Sequence, residues 1–274
     1  MNTEELVKFA LMEDIGTGDI TTEYLDLPKK INTAYLIAKQ EGVLCGLNVA
    51  MLTFKAVDEN TKFVAYKKDG DSLKIGDTIA KIEGYSDSIL QGERVALNFL
   101  QRLSGIATMT KLFVYKLKNY QTKLLDTRKT TPLLRNLEKY AVRVGGGYNH
   151  RFGLYDMILI KENHIKAAGG ITKAVELVKK SNTTYKIEVE VTNLDELREA
   201  VNSKVDRVML DNMTPDIMKE AVERYRHIVE FEASGNVSME NIEEIAATGV
   251  DYISSGALTH SYKSLDISLL FSIE

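Results

Sequence analysis

From residue 123 onward the chain repeats one unit six times: a short apolar run suited to a strand, a polar residue at its carboxyl end, and then helix-forming sequence. The runs are KLLDTRK (123–129), MILIKEN (157–163), KIEVEV (186–191), RVMLDN (207–212), IVEFEASG (228–235) and YISSGA (252–257). The intervening TKAVELVKK, LDELREAV, PDIMKEAVERY and MENIEEIAA have the amphipathic period of covering helices, and Pro215 stands where a first-turn proline is tolerated. Such an alternation commits the chain to parallel strands joined by right-handed crossovers. A closed or partly open α/β barrel is the first choice, and a doubly wound open sheet the second.

The polar residues that end these runs are Arg128 and Lys129, Lys161, Glu190, Asp211, Ser234 with Gly235, and Gly256. Any one of them alone reads as an exposed loop residue. In a parallel barrel, however, all the carboxyl ends meet on the face where such enzymes hold their active sites. The run KIEVEV adds a constraint: Glu188 and Glu190 are two apart and share a face, so with Ile187, Val189 and Val191 turned to the helices both carboxylates point into the barrel. Unpaired charge is costly there, so they require cations, with a lysine the expected partner of Glu188. Glu190, nearer the mouth, suits a metal or ligand hydroxyls.

The charge distribution points the same way. The formal net charge is −4, yet residues 126–166 hold eight Lys/Arg against four Asp/Glu. Arg128, Lys129, His150, Arg151 and Lys161 crowded at one mouth would repel by about 1 kcal/mol per pair in water and about 4 at an effective dielectric of 20, for 4 Å separations. A bound polyanion removes that cost, and arginine forks suit carboxylates and phosphates. Arg135, Lys139 and Arg143, on the helical LLRNLEKYAVRV, read as solvated helix charges. Ser234-Gly235-Asn236, ahead of a helix expected near Ser238, and Ser254-Ser255-Gly256-Ala257 fall where a barrel seats a phosphate on backbone N–H groups.

The first hundred residues read as a separate mixed α/β unit, with a helix near 3–12, strands at 33–39 and 61–67, and Gly/Asp turns with tight strands in DGDSLKIGDTIAKIEG. Apolar residues keep helical spacing from 86 to about 118, with an interruption expected at Ser104-Gly105. One acidic-leaning chain with one basic island disfavours nucleic acid as a partner. No apolar run approaches the roughly 20 residues of a membrane span, and the acidic start is unlike a leader, so the cytoplasm is the expected location. The single Cys45 excludes an internal disulfide and reads as a small buried hydrophobe.

ERVALNFLQRLSGIAT, DTRKTTP, EKYAVRVGGGYNHR, LIKENH, EVEV, LDNM, EASGNV and GVDYISSGALTHS, with the early EDIGTGDITT, closely resemble the quinolinate phosphoribosyltransferase family, in order from about residue 11 to the C-terminus. The resemblance implies the type II phosphoribosyltransferase fold: an N-terminal α/β sandwich domain, taken as residues 1–106, and an incomplete parallel α/β barrel, 107–264, with the tail 265–274 packing back on the first. It implies that quinolinate and phosphoribosyl pyrophosphate give nicotinate mononucleotide, pyrophosphate and CO2, with Mg2+ and no organic cofactor. By motif, Arg128, His150, Arg151 and Lys161, with Lys129 beside them, correspond to the quinolinate and pyrophosphate binders. Glu190 and Asp211 correspond to the acids around the ribose hydroxyls and magnesium. Ser234, Gly235, Asn236, Gly256 and His260 correspond to the 5-phosphate cradle. Arg94 resembles the arginine that the family donates across a homodimer interface into the neighbouring site.

Leu133 stands where the family usually has Gly, Val144 where Cys is common, and Glu162 where Asp is usual; Leu133 leaves the turn after Pro132 open. His164 could face the site as well. The rivals are the related protein of molybdenum-transport operons, a nicotinate-specific phosphoribosyltransferase, and a non-catalytic sensor of phosphoribosyl compounds or dicarboxylates.

Overall fold

The computed structural model describes residues 2–272. Its first stretch begins with α1 (Thr3–Ile15), whose start is set by a reciprocal cap: Asn2 Oδ1 accepts the Glu5 N–H and Glu5 Oε2 accepts the Asn2 N–H, each at 2.8 Å. There follow α2 (Ile20–Leu25), β1 (Ile31–Ala38), β2 (Gly42–Val43), α3 (Leu47–Val57), β3 (Lys62–Ala65), β4 (Ser72–Leu73), β5 (Thr78–Tyr85) and α4 (Ser86–Lys116). The helix α4 runs unbroken for 31 residues, so the interruption expected at Ser104-Gly105 does not occur. Both residues serve close packing instead: Ser104 Oγ bonds the Cys45 backbone, and a Cβ on Gly105 would lie 2.2 Å from the Lys263 carbonyl oxygen.

Next come β6 (Lys123–Leu125), α5 (Arg135–Val144), β7 (Ile158–Ile160), α6 (Glu162–Ala168), α7 (Ile171–Lys179), β8 (Ile187–Val191), α8 (Leu194–Asn202), β9 (Arg207–Asp211), α9 (Pro215–Tyr225), β10 (Glu230–Ser234), α10 (Ile242–Ala247), β11 (Tyr252–Ser254) and α11 (Ala257–His260). All six strands are parallel, in the order β6-β11-β10-β9-β8-β7. Among the described residues β6 and β7 share no ladder, which leaves the barrel incomplete. The helix after Asn236 starts at Ile242, several residues later than expected, because residues 239–241 form a turn first.

The last described strand, β12 (Ile267–Phe271), pairs antiparallel with β1 and completes a sheet of order β12-β1-β5-β3. Its core gathers Leu36, Phe54, Ile79, Ile82, Ile89 and Leu100, all essentially sealed from solvent. Cys45 is buried beside it. The chain divides into two compact units: residues 1–111, 131–146 and 262–274, and residues 112–130 with 147–261. The segment that carries α5 thus groups with the first unit although it lies within the 107–264 span. No described helix is long and apolar enough to cross a membrane.

Candidate active site

Parallel register places the side chains of the barrel in layers. Arg207, at the start of β9, stands beside Glu188 of β8 and Glu230 of β10, while one strand length higher Asp211 stands beside Ser234. The lower layer is buried and charged. His150 Nε2 lies 3.0 Å from Glu188 Oε2 and 3.4 Å from Glu232 Oε2, and Arg207 Nη1 lies 3.2 Å from Glu232 Oε2. Arg207 also covers the Tyr252 ring at 3.9 Å. The partner of Glu188 is therefore a histidine backed by an arginine, where a lysine was expected.

Burial opposes the charged form of His150, but Glu188 and Glu232 outweigh it and raise its pKa to about 9. Burial and then the Glu232 charge raise Glu188 to about 7. Nδ1 of His150 lies 2.8 Å from the Arg151 backbone nitrogen, whose N–H the neutral ring accepts and the protonated ring gives up. His150, Glu188 and Glu232 therefore share protons as one group. They also form a cluster compact enough to hold a metal, yet the Arg207 guanidinium already supplies the cation.

The upper layer opens into a cavity of about 320 Å³ whose lining includes Arg128, Lys129, His150, Arg151, Lys161, Glu190, Asp211, Ser234, Gly235, Asn236, Gly256 and His260. One mouth thus gathers the strand-end residues singled out from the sequence together with His150, Arg151 and His260, while Glu188 lies in the layer below. Lys161 Nζ approaches Glu190 Oε2 at 3.4 Å. Burial and the neighbouring Arg128 guanidinium both push the Arg151 pKa below its ordinary value, the electrostatic mark of crowded cations. His164 is engaged locally, where its Nδ1 accepts the Lys161 N–H at 3.0 Å at the start of α6. Arg94 is an exposed residue of α4 in the other unit.

Two anchors of this site were not read from the sequence. Buried Asp126 accepts the His150 N–H at 2.8 Å and the Asn149 side-chain amide at 2.5 Å, tying the segment before Arg128 to the one carrying His150 and Arg151. Buried Glu232 was detectable from the alternation of Glu230, Glu232 and Ser234, the same two-residue period that singled out Glu188 and Glu190. The Arg128-Lys129 segment is held at both ends, by Ser255 N–H to Leu125 O at 3.0 Å and by Thr259 Oγ1 to Lys129 O at 2.9 Å. In the first unit, Leu133 adopts φ +69, the left-handed region that glycine occupies without cost. Lys139 is fully buried, contrary to its reading as a solvated helix charge.

The sequence profile of the quinolinate phosphoribosyl transferase C-terminal domain matches residues 106–270, and that of the N-terminal domain matches residues 19–104. A probable nicotinate-nucleotide pyrophosphorylase (carboxylating) of Bacillus subtilis (strain 168) is 46% identical over 270 residues, 98% of this chain and 93% of that protein. Quinolinate phosphoribosyltransferase (decarboxylating) 2b, mitochondrial, of Nicotiana tabacum is 42% identical over 291 residues, 99% of this chain and 82% of that protein. The solved nicotinate-nucleotide pyrophosphorylase from Francisella tularensis superposes with a TM-score of 0.95 at 46% identity, covering 98% of this chain and 96% of that one.

Proposed function

The chain belongs to the quinolinate phosphoribosyltransferase family, and we propose that its strand-end cavity converts quinolinate and phosphoribosyl pyrophosphate to nicotinate mononucleotide, pyrophosphate and CO2. It is an enzyme of phosphoribosyl transfer with decarboxylation, in NAD biosynthesis. The observation that carries the reading is the two-sided lining: Arg128, Lys129, Arg151 and Lys161 in one cavity with Glu190 and Asp211.

Arg128 and Arg151, with Lys161, hold the two carboxylates of quinolinate so that the ring nitrogen faces C1 of the sugar, a positioning effect. His150, fixed by Glu188 and Glu232, contributes as part of the cavity wall, orienting the substrate without acting as a base. Lys129 and Lys161 receive the pyrophosphate. Ser234, Gly235, Asn236, Gly256 and His260 seat the 5-phosphate. As the C1–oxygen bond breaks, pyrophosphate keeps the electron pair and C1 gains positive charge that Glu190 and Asp211 stabilise. The ring nitrogen supplies its lone pair to C1 and becomes cationic. The adjacent carboxylate then leaves as CO2, its bonding electrons remain on the ring carbon beside that cation, and a proton completes nicotinate mononucleotide.

Two carboxylates at neighbouring strand ends are hard oxygen donors too few to cage Mg2+ alone, which fits an ion that keeps waters and takes oxygens from a substrate diphosphate. Glu190 and Asp211 would hold it, directly or through water, and when bound it would neutralise charge on the departing pyrophosphate. The working form is a homodimer in which Arg94 of each copy completes the other's quinolinate pocket, and the setting is cytoplasmic.

The test incubates purified protein with phosphoribosyl pyrophosphate, Mg2+ and either quinolinate or nicotinate, following CO2 and mononucleotide. CO2 and product from quinolinate are expected; product from nicotinate alone overturns the proposal. His150→Ala with unchanged turnover and quinolinate affinity would remove the role given to His150.

A further inference from the structure

Asn212 follows Asp211 directly but does not line the cavity. Its backbone is left-handed, φ +54, as is that of Asn236 at +50 and Gly235 at +94. Asparagine tolerates this region better than other side chains, but a left-handed residue still argues for a local purpose. The main chain of Asn212 prolongs the β9–β10 ladder, its N–H donating to Ser234 O at 2.9 Å. Its side chain then bridges two walls of the site. Nδ2 donates to Asp211 Oδ2 at 2.9 Å, and Oδ1 accepts from Asn236 Nδ2 at 2.9 Å. The amide cannot be turned round, because an ionised carboxylate only accepts and so requires Nδ2 on that side. Beyond it, Asn241 Nδ2 donates to Asn236 O at 2.9 Å and Asn241 Oδ1 accepts the Ser238 N–H at 2.8 Å, fastening the far side of the same loop. The amide also lies close against Gly235: a Cβ there would be 2.2 Å from Asn212 Oδ1, so the glycine is required by the bridge as well as by its own φ.

We propose that Asn212 is a positioning residue that locks the Asp211 carboxylate to the Gly235-Asn236 loop, so that the sugar and the 5-phosphate of the donor are registered by one rigid unit. The inference rests on the donor site proposed above. Asp211 faces the ribose and the carbon that becomes cationic, while Gly235-Asn236 faces the phosphate at the other end of the same sugar. A bridge between them fixes their separation, which a mobile loop and a freely rotating carboxylate would not.

Asn212→Gly is the clean probe, since glycine keeps the left-handed backbone and removes only the amide. Ribose 5-phosphate, titrated by calorimetry without Mg2+, is expected to bind the variant about three- to tenfold more weakly, and KM for phosphoribosyl pyrophosphate is expected to rise similarly with a fall in kcat. Quinolinate affinity should stay at the wild-type value. Asn212→Asp, which keeps the acceptor for Asn236 but sets a second carboxylate against Asp211, should lower kcat further than Asn212→Gly. In the double variant with Asn236→Gly the two losses should be less than multiplicative, because both cut one linkage. Unchanged ribose 5-phosphate affinity, an equal loss of quinolinate affinity, or strictly multiplicative effects would overturn the inference, as would failure of the wild-type protein to bind ribose 5-phosphate. Wild-type protein that binds the sugar phosphate but makes no mononucleotide from quinolinate would instead sink the proposed reaction and leave the Asn212 bridge standing.

Discussion

Replacing Glu232 with Gln should flatten the dependence of folding stability on pH. In the folded protein burial and the adjacent Glu232 charge raise Glu188 from an ordinary 4.5 to about 7. His150, against the opposing effect of burial, is raised from 6.5 to about 9 by its two carboxylate neighbours. Both shifts mean that the fold retains a proton where the unfolded chain has lost it. Their contribution is fully present below pH 4.5 and is lost as pH rises, in one step ending near 7 and another ending near 9. While one additional proton is held, the slope is about 1.4 kcal/mol per pH unit. Glu232→Gln preserves shape but removes one of two buried negative charges, so Glu188 and Arg207 then balance each other and the extra proton is less needed. Breaking the buried pair should cost about 3–5 kcal/mol near pH 6, and the deficit should narrow by roughly 1 kcal/mol per pH unit toward pH 9. Urea unfolding of both proteins from pH 6 to 9 at constant ionic strength measures this directly. Parallel stability curves would show that the three residues do not share the proton and would refute the reasoning.

Leu133→Gly should leave stability unchanged or raise it, because relief of a left-handed leucine, about 1–2 kcal/mol, outweighs or offsets the roughly 0.5–1 kcal/mol entropic cost of glycine. Leu133 is 75% exposed and forfeits little burial; a thermal midpoint lowered by more than about 4 °C would contradict this. Gly105→Ala should destabilise by about 1–3 kcal/mol, since the nearest atom to the added carbon is a backbone carbonyl that cannot swing aside; a neutral result in denaturant titration would mean that α4 shifts freely. Arg128→Lys should raise KM for quinolinate at least about tenfold by replacing a two-point fork with a point charge, and steady-state kinetics showing wild-type KM would remove Arg128 from that role.

The sequence displayed the barrel and its mouth because both follow from order along the chain. A residue just past an apolar run lies at a strand end whatever the rest of the molecule does, which is why Arg128, Lys161, Glu190, Asp211 and Ser234 could be grouped in advance. The lower layer was less legible, because its contacts depend on which strands become neighbours. Glu232 meets Arg207 and His150 only through register and strand order, and the periodicity of β10 gives its direction without its partners. Similarly, Ser104-Gly105 has the composition of a break, yet α4 continues because packing against residues far along the chain needs small side chains there. Lys139 has the local texture of a helix surface, and only tertiary packing buries it. The helix α3 was not anticipated, since LNVAMLTFKAV is apolar on too many sides for its period to stand out.

The arrangement of the first sheet bears on how the molecule is made. β1, formed early, has β5 on one flank, but its other flank is covered by β12 at residues 267–271. During vectorial synthesis that backbone edge therefore stays open until residues 267–271 have left the ribosome, and open edges recruit other strands. Nascent chains stalled before β12 should be the aggregating species, and a short peptide with the β12 sequence, supplied in trans, should suppress it.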